Sequence, residues 1–256
     1  MGIELFSAGQ QGVGAFDGGK FVEQRPISFP GEKTAVNRVG SLFYWAWGKA
    51  TEVAEIGMHP HKSFEILTYV IEGIVEHRDS LGSLETVTNG GAQVIQAGSG
   101  VYHSEAFRTA GSEGLQIWFE PHLSVTVKQP ATYHQYQHEL FPSSNEEGVT
   151  VKTVIGGEAP IKLDTEATMY DWTFEPGASY RYKLSPNRLL ALLVIRGQGT
   201  TQIDVEASGT LSHKDFAVVQ ATGEQNLLQL TADSEQGLRI IAIEVPEDPG
   251  YPLYHK

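Results

Sequence analysis

No apolar run in this chain is longer than seven residues, Leu189–Ile195, and that ceiling decides much of what the chain can become. A membrane-crossing helix needs roughly 20. The apolar segments are short: Glu65–Ile71, Gln93–Gln96, Leu115–Phe119, Leu189–Ile195, Phe216–Val219 and Leu238–Val245. They are rich in Val, Ile, Thr, Tyr and Phe, and Gly, Asn, Asp or Ser separates them. No window sustains a helical period for long. This pattern predicts an all-β chain built as sandwiches or barrels.

The 256 residues suffice for one large domain or two modest ones, at about 150 residues per domain. An internal repeat favours two. At an offset of 124 positions, Val70, Ile71 and Gly73 fall on Val194, Ile195 and Gly197. Val94, Gln96 and Ala97 fall on Val218, Gln220 and Ala221, and Glu120 falls on Glu244. One constant offset across three segments carries more weight than any single match. The polar, turn-rich stretch Phe141–Gly148 reads as a linker. It divides an N-terminal domain, 1–140, from a C-terminal domain, 149–256. Tyr133–Leu140, just before the linker, reads as a short helical turn.

Lys+Arg number 18 and Asp+Glu 31, a formal charge of −13. That charge opposes direct binding to nucleic acid or to an anionic membrane. The chain has no cysteine, which excludes disulfides, thiolate metal sites and thiol nucleophiles. The opening residues, MGIELFSAG, have no basic stretch and no long apolar run. The expectation is a soluble cytoplasmic protein.

The chemistry concentrates in two segments. In GMHPHKSFE, Gly57–Glu65, His59 and His61 stand two apart, so on a strand both imidazoles share a face and can reach one metal. Glu65 has the same parity and faces the same way if the strand continues. In AGSGVYHSE, Ala97–Glu105, His103 and Glu105 repeat the spacing after a glycine-rich turn. A second strand thus offers one more imidazole and a carboxylate. One His-x-His pair is weak evidence, but two such pairs are far less accidental. His77, in VEHRDS, reads as a local structural histidine. His134 and His138 have helical spacing but no third partner.

The run HPHKSFEILTYVIEGIVEHRDSLG, followed by QAGSGVYHSE, resembles the signature of the pirin family, within the cupin superfamily. Lys62–Ser63 stands where Arg-Gly or Lys-Asp is usual. The resemblance implies a bicupin, two tandem jelly-roll-like β-barrels packed face to face, with a metal in the first. Its ligands, carried over by position, are His59, His61, His103 and Glu105. Some pirin-like proteins are quercetin 2,3-dioxygenases and some eukaryotic members are transcriptional cofactors. The resemblance therefore implies an oxidoreductase that cleaves a flavonol such as quercetin with O2. The alternative is a regulatory module that binds a protein partner.

Three imidazoles and a carboxylate without thiolates suit Fe(II) first, with Mn, Co, Ni, Cu or Zn as alternatives. Zinc favours a closed tetrahedral site. Glu105, by leaving the metal, and Glu65, beside it, are the two candidate general bases, with neither assigned. At the 124-residue offset the four ligand positions become Lys183, Ser185, Leu227 and Gln229, no plausible metal set. The expectation is one divalent metal per chain, in the N-terminal domain.

Overall fold

The protein is described from a computed structural model, over residues 1–203, 207–221 and 226–256. The strands pair antiparallel, and the chain divides into two units. Among the described residues no helix is long and apolar enough to cross a membrane.

The N-terminal unit comprises Gln11–Leu140 with Leu163–Thr165 and Gly250–Lys256. Its larger sheet has seven strands in the order Thr132–Tyr136, Ala92–Gln96, Glu65–Glu72, Glu113–Phe119, Leu42–Ala50, Phe21–Ile27 and Gly12–Phe16. The smaller sheet has four, in the order Ala54–His61, Val101–Phe107, Ile74–Asp79 and Leu84–Thr88. Apolar residues join the two sheets: Phe21, Ala50 and Val70 from the larger meet Ala54, Val75, Val87 and Phe107 from the smaller. Phe21 and Phe107 stack with ring centroids 4.3 Å apart.

The C-terminal unit comprises Met1–Gln10, Phe141–Lys162 and Glu166–Pro249. Its ten strands form one sheet, whose main path runs Gly2–Phe6, Phe216–Gln220, Arg188–Ile203, Leu238–Pro246, Thr168–Phe174, Val149–Ile155 and Ser143–Glu146. The 16-residue strand Arg188–Ile203 also pairs with Ala207–Ser212 and Leu227–Ala232, and the latter with Ser179–Lys183.

The 124-residue repeat is visible in the pairing. Glu65 faces Gln96 in one unit, and Leu189 faces Gln220 in the other. His59 faces His103, and Lys183 faces Leu227.

Three expectations differ from what the structure contains. The stretch 141–148 is no simple linker, because Ser143–Glu146 is a strand paired with Val149–Ile155. The first ten residues belong to the C-terminal unit, because Gly2–Phe6 pairs with Phe216–Gln220. This strand completes the edge that Thr132–Tyr136 completes beside Ala92–Gln96. Tyr133–Leu140 is not one helical turn. His134 lies on a strand and His138 opens a short 3-10 turn, so their helical spacing has no meaning.

Candidate metal centre

His59 and His61 lie on the strand Ala54–His61, beside the strand Val101–Phe107 that carries His103 and Glu105. The register slips between these strands, because His103 faces His59 whereas Glu105 faces Ile56. The slip leaves Gly57 and Met58 together opposite Ser104, a bulge of the kind that re-aims side chains. The bulge also supplies a partner: the Gly57 carbonyl lies 2.7 Å from His59 Nδ1. A carbonyl only accepts, so Nδ1 carries the hydrogen and Nε2 of the neutral ring keeps a lone pair.

The ligand-capable atoms of His59, His61 and His103 lie within 4.8 Å of one another. His61 Nε2 and His103 Nε2 are 2.8 Å apart. Two nitrogens bound at about 2.1 Å to one ion, roughly at right angles, are separated by about 3 Å. The spacing therefore fits two ligands of a common ion. His103 is fully buried, His61 nearly so, and His59 is partly exposed. Burial first, then the neighbouring imidazoles, pushes both His61 and His103 down to about 3. Both rings are therefore neutral at physiological pH, with lone pairs available to a cation. The donor set thus fits a divalent ion.

Glu105 stands outside that converging group. Its Oε1 accepts hydrogen bonds from Thr68 Oγ1 at 2.7 Å and Gln93 Nε2 at 2.9 Å. Its Oε2 accepts one from Gln116 Nε2 at 2.7 Å. A small void of about 10 Å³, bordered by Glu23, Thr68, Glu105 and Gln116, adjoins it. Gln116 Oε1 in turn accepts from Trp118 Nε1 at 3.1 Å. The Trp118 ring stands edge-on to His61 at 4.8 Å. One polar chain therefore runs from the Glu105 carboxylate to the wall beside His61.

Glu65 is not placed as a base beside the histidines. The strand carrying His61 ends there, and a new one begins at Glu65 in the other sheet. Ser63 makes the break with φ 69°, a left-handed conformation that glycine adopts freely and serine does at a cost. Parity does not carry across such a break. The buried Glu65 carboxylate accepts from Gln96 Nε2 at 2.8 Å and from the backbone N–H groups of Asp164 and Thr165 at 2.7 and 2.9 Å. It fastens Leu163–Thr165 to the N-terminal unit, and that is its visible work.

Thr68, Gln93 and Gln116, the donors to Glu105, carried no signal in the sequence, because they come from three separate strands.

The Pirin family model matches residues 40–119. "Pirin-like protein 2" of Arabidopsis thaliana is 28% identical over 190 residues, covering 72% of this chain and 59% of the relative. "Quercetin 2,3-dioxygenase" of Escherichia coli (strain K12) is 31% identical over 147 residues, covering 56% of this chain and 60% of the relative. The match thus spans about three fifths of each relative's length. The crystal structure of a bacterial pirin from Escherichia coli in complex with nickel(II) superposes with a TM-score of 0.75 at 24% identity, covering 95% of this chain and 99% of the other. A likeness at that identity speaks to the fold.

Proposed function

From its match to the Pirin family model over residues 40–119 and its similarity to pirin-like proteins and quercetin 2,3-dioxygenases, we propose that the chain is a pirin-type metal-dependent dioxygenase that cleaves quercetin or a related flavonol with O2. The observation that carries this reading is the convergence of three imidazoles on one point, with His61 and His103 Nε2 2.8 Å apart. The reaction is suggested by the name of the Escherichia coli relative.

His59, His61 and His103 hold a single divalent ion, with Glu105 as fourth ligand through Oε2, the oxygen that accepts the Gln116 hydrogen bond. Fe(II) is the first choice. Mn, Co, Ni, Cu and Zn are alternatives, and nickel(II) is the ion in the Escherichia coli pirin structure. The ion, when bound, supplies a Lewis-acid centre that favours the deprotonated form of a substrate hydroxyl.

The protein's own part is electrostatic and steric. Three neutral imidazoles and one carboxylate leave a divalent centre with net positive charge, which suits a phenolate or enolate. Trp118, with Phe64 at 5.8 Å behind it, walls the His61 side with aromatic surface, which suits a planar substrate. The partly exposed His59 marks the open side. Gln116, Gln93 and Thr68 hold the Glu105 carboxylate in a fixed orientation. In the C-terminal unit Lys183 and Leu227 stand where His59 and His103 do, and this reading gives that unit no metal.

The test is metal content by plasma mass spectrometry on untagged protein purified without chelator or nickel resin, paired with oxygen uptake on quercetin. One metal ion per chain is expected, with quercetin-dependent uptake that His103→Ala abolishes. Protein that retains no metal and takes none up on reconstitution is not this enzyme, and a protein-binding role replaces the reading.

A further inference from the structure

His77 is wholly buried on the strand Ile74–Asp79, beside the strand that carries His103. Its ring lies flat on Tyr133, with centroids 4.0 Å apart and planes 4° apart, so the ring plane is fixed. Its Nε2 is 2.9 Å from Asp79 Oδ2. A carboxylate accepts, so Nε2 carries the hydrogen and Nδ1 of the neutral ring offers a lone pair. Asp79 is itself held, since its Oδ1 accepts the backbone N–H groups of Leu81 at 2.9 Å and Ser83 at 3.0 Å.

The His103 ring centroid lies 5.4 Å from that of His77. His103 turns Nε2 toward His61. Its Nδ1 and the Nδ1 of His77 are both sealed from solvent, and neither has a hydrogen-bond partner among the described protein groups. A histidine that presents Nε2 as a lone pair must carry its hydrogen on Nδ1, and a buried N–H needs an acceptor. The neighbouring lone pair is His77 Nδ1.

We propose that Asp79 and His77 act as positioning residues in a tautomer relay. Through one buried water between the two Nδ1 atoms, they hold the hydrogen of His103 on Nδ1 and keep Nε2 free to bind a cation. The relay rests on the proposed metal centre for its purpose, but its tautomer is readable without any metal.

Asp79→Asn separates this role from a merely structural one. The atom facing Leu81 and Ser83 must remain an oxygen, because both backbone groups donate to it. The new NH2 therefore faces His77 Nε2 and donates. His77 then carries its hydrogen on Nδ1, and the relay runs backwards, placing the hydrogen of His103 on Nε2. In metal-free, full-length protein, the ¹⁵N imidazole resonances of His103 are expected to report a protonated Nδ1. They should exchange roles in Asp79→Asn. Affinity for Ni(II), used as the probe ion, should fall about 10- to 100-fold.

His77→Phe keeps the stack on Tyr133 and removes both nitrogens, so His103 should become a tautomer mixture with an intermediate loss of affinity. An unchanged His59 tautomer, set by Gly57, certifies an intact strand. A His103 tautomer that is the same in all three proteins overturns the relay, even where Ni(II) affinity falls. If Asp79→Asn does not fold, His77→Phe decides alone. Wild-type protein that shows the Nδ1–H form but binds no Ni(II) removes the metal reading and leaves the relay standing.

Discussion

The two units share a strand order and differ in what fills them. Glu65 and Gln96 are paired as Leu189 and Gln220 are, and His59 and His103 as Lys183 and Leu227 are. At the repeat offset, Thr68, Gln93 and Glu105 become Leu192, Ala217 and Gln229. Leu192 and Ala217 belong to one apolar cluster with Trp172, Leu190, Leu228, Ile240 and Ala242. In the N-terminal unit the corresponding interior buries Thr68, His77, Gln93, His103 and Glu105. An apolar interior gains free energy simply by leaving water. A buried carboxylate costs several kcal/mol unless donors surround it, and Glu105 has three. The C-terminal unit shows that this architecture does not need a polar interior. The N-terminal one is therefore tied to the site.

The most severe way to test that asymmetry is to truncate the same position in both units. His103→Ala should reduce metal affinity more than about 100-fold, beyond the effect of losing a supporting hydrogen bond. Leu227→Ala should leave metal affinity unchanged, as read by competition against a chelator. Loss of metal from both variants would erase the distinction between the units.

Next in size is a pair of interior substitutions read by urea denaturation. Leu192→Ala opens a cavity in the apolar interior and should cost about 2–5 kcal/mol. Thr68→Val, the equivalent position, keeps the volume but removes a donor to a buried carboxylate, and should cost about 1–3 kcal/mol. Only Thr68→Val should also weaken metal binding. A Thr68→Val protein as stable as its parent would mean that Glu105 does not depend on its donors.

These contrasts follow what was legible in the sequence. Residues two apart on one strand share a face whatever the rest of the chain does, so His59 with His61 and His103 with Glu105 could be read locally. The repeat also survived, because pairing registers conserve offsets. Glu65 was misread because parity fails where a strand breaks, and the break rests on Ser63 holding φ 69°. No neighbouring glycine announces it. The donors around Glu105 sit at ordinary strand positions, and only the folded pairing brings them to one carboxylate. The assignment of the chain's ends was hidden for a similar reason, whereas the division between Leu140 and Phe141 falls where the two units part. The pairing of Gly2–Phe6 with Phe216–Gln220 joins residues over 200 positions apart, and short apolar segments do not name their partners.

That exchange of ends gives the smallest and most specific prediction. The C-terminal unit takes the first ten residues of the chain as a strand, whereas the N-terminal unit takes Gly250–Lys256 as a strap. The strap is held by side chains. Tyr251 Oη donates to the Glu120 carbonyl at 2.7 Å, and the Tyr254 N–H donates to the Glu120 carboxylate. Lys256 Nζ donates to the Phe43 carbonyl at 2.6 Å, above the Phe43 ring. Burial, reinforced by Arg38, lowers the Lys256 amine to about 8. Below that pH, docked and undocked straps are both protonated and docking does not respond to pH. Between about 8 and the ordinary value of 10.5, the undocked strap binds more protons than the docked one, so docking strengthens as pH rises. Protection of the Tyr254 amide, corrected for intrinsic exchange, should increase from pH 8 to 10. Lys256→Met should flatten that rise. Protection that falls over this range would mean that the strap holds its lysine charged.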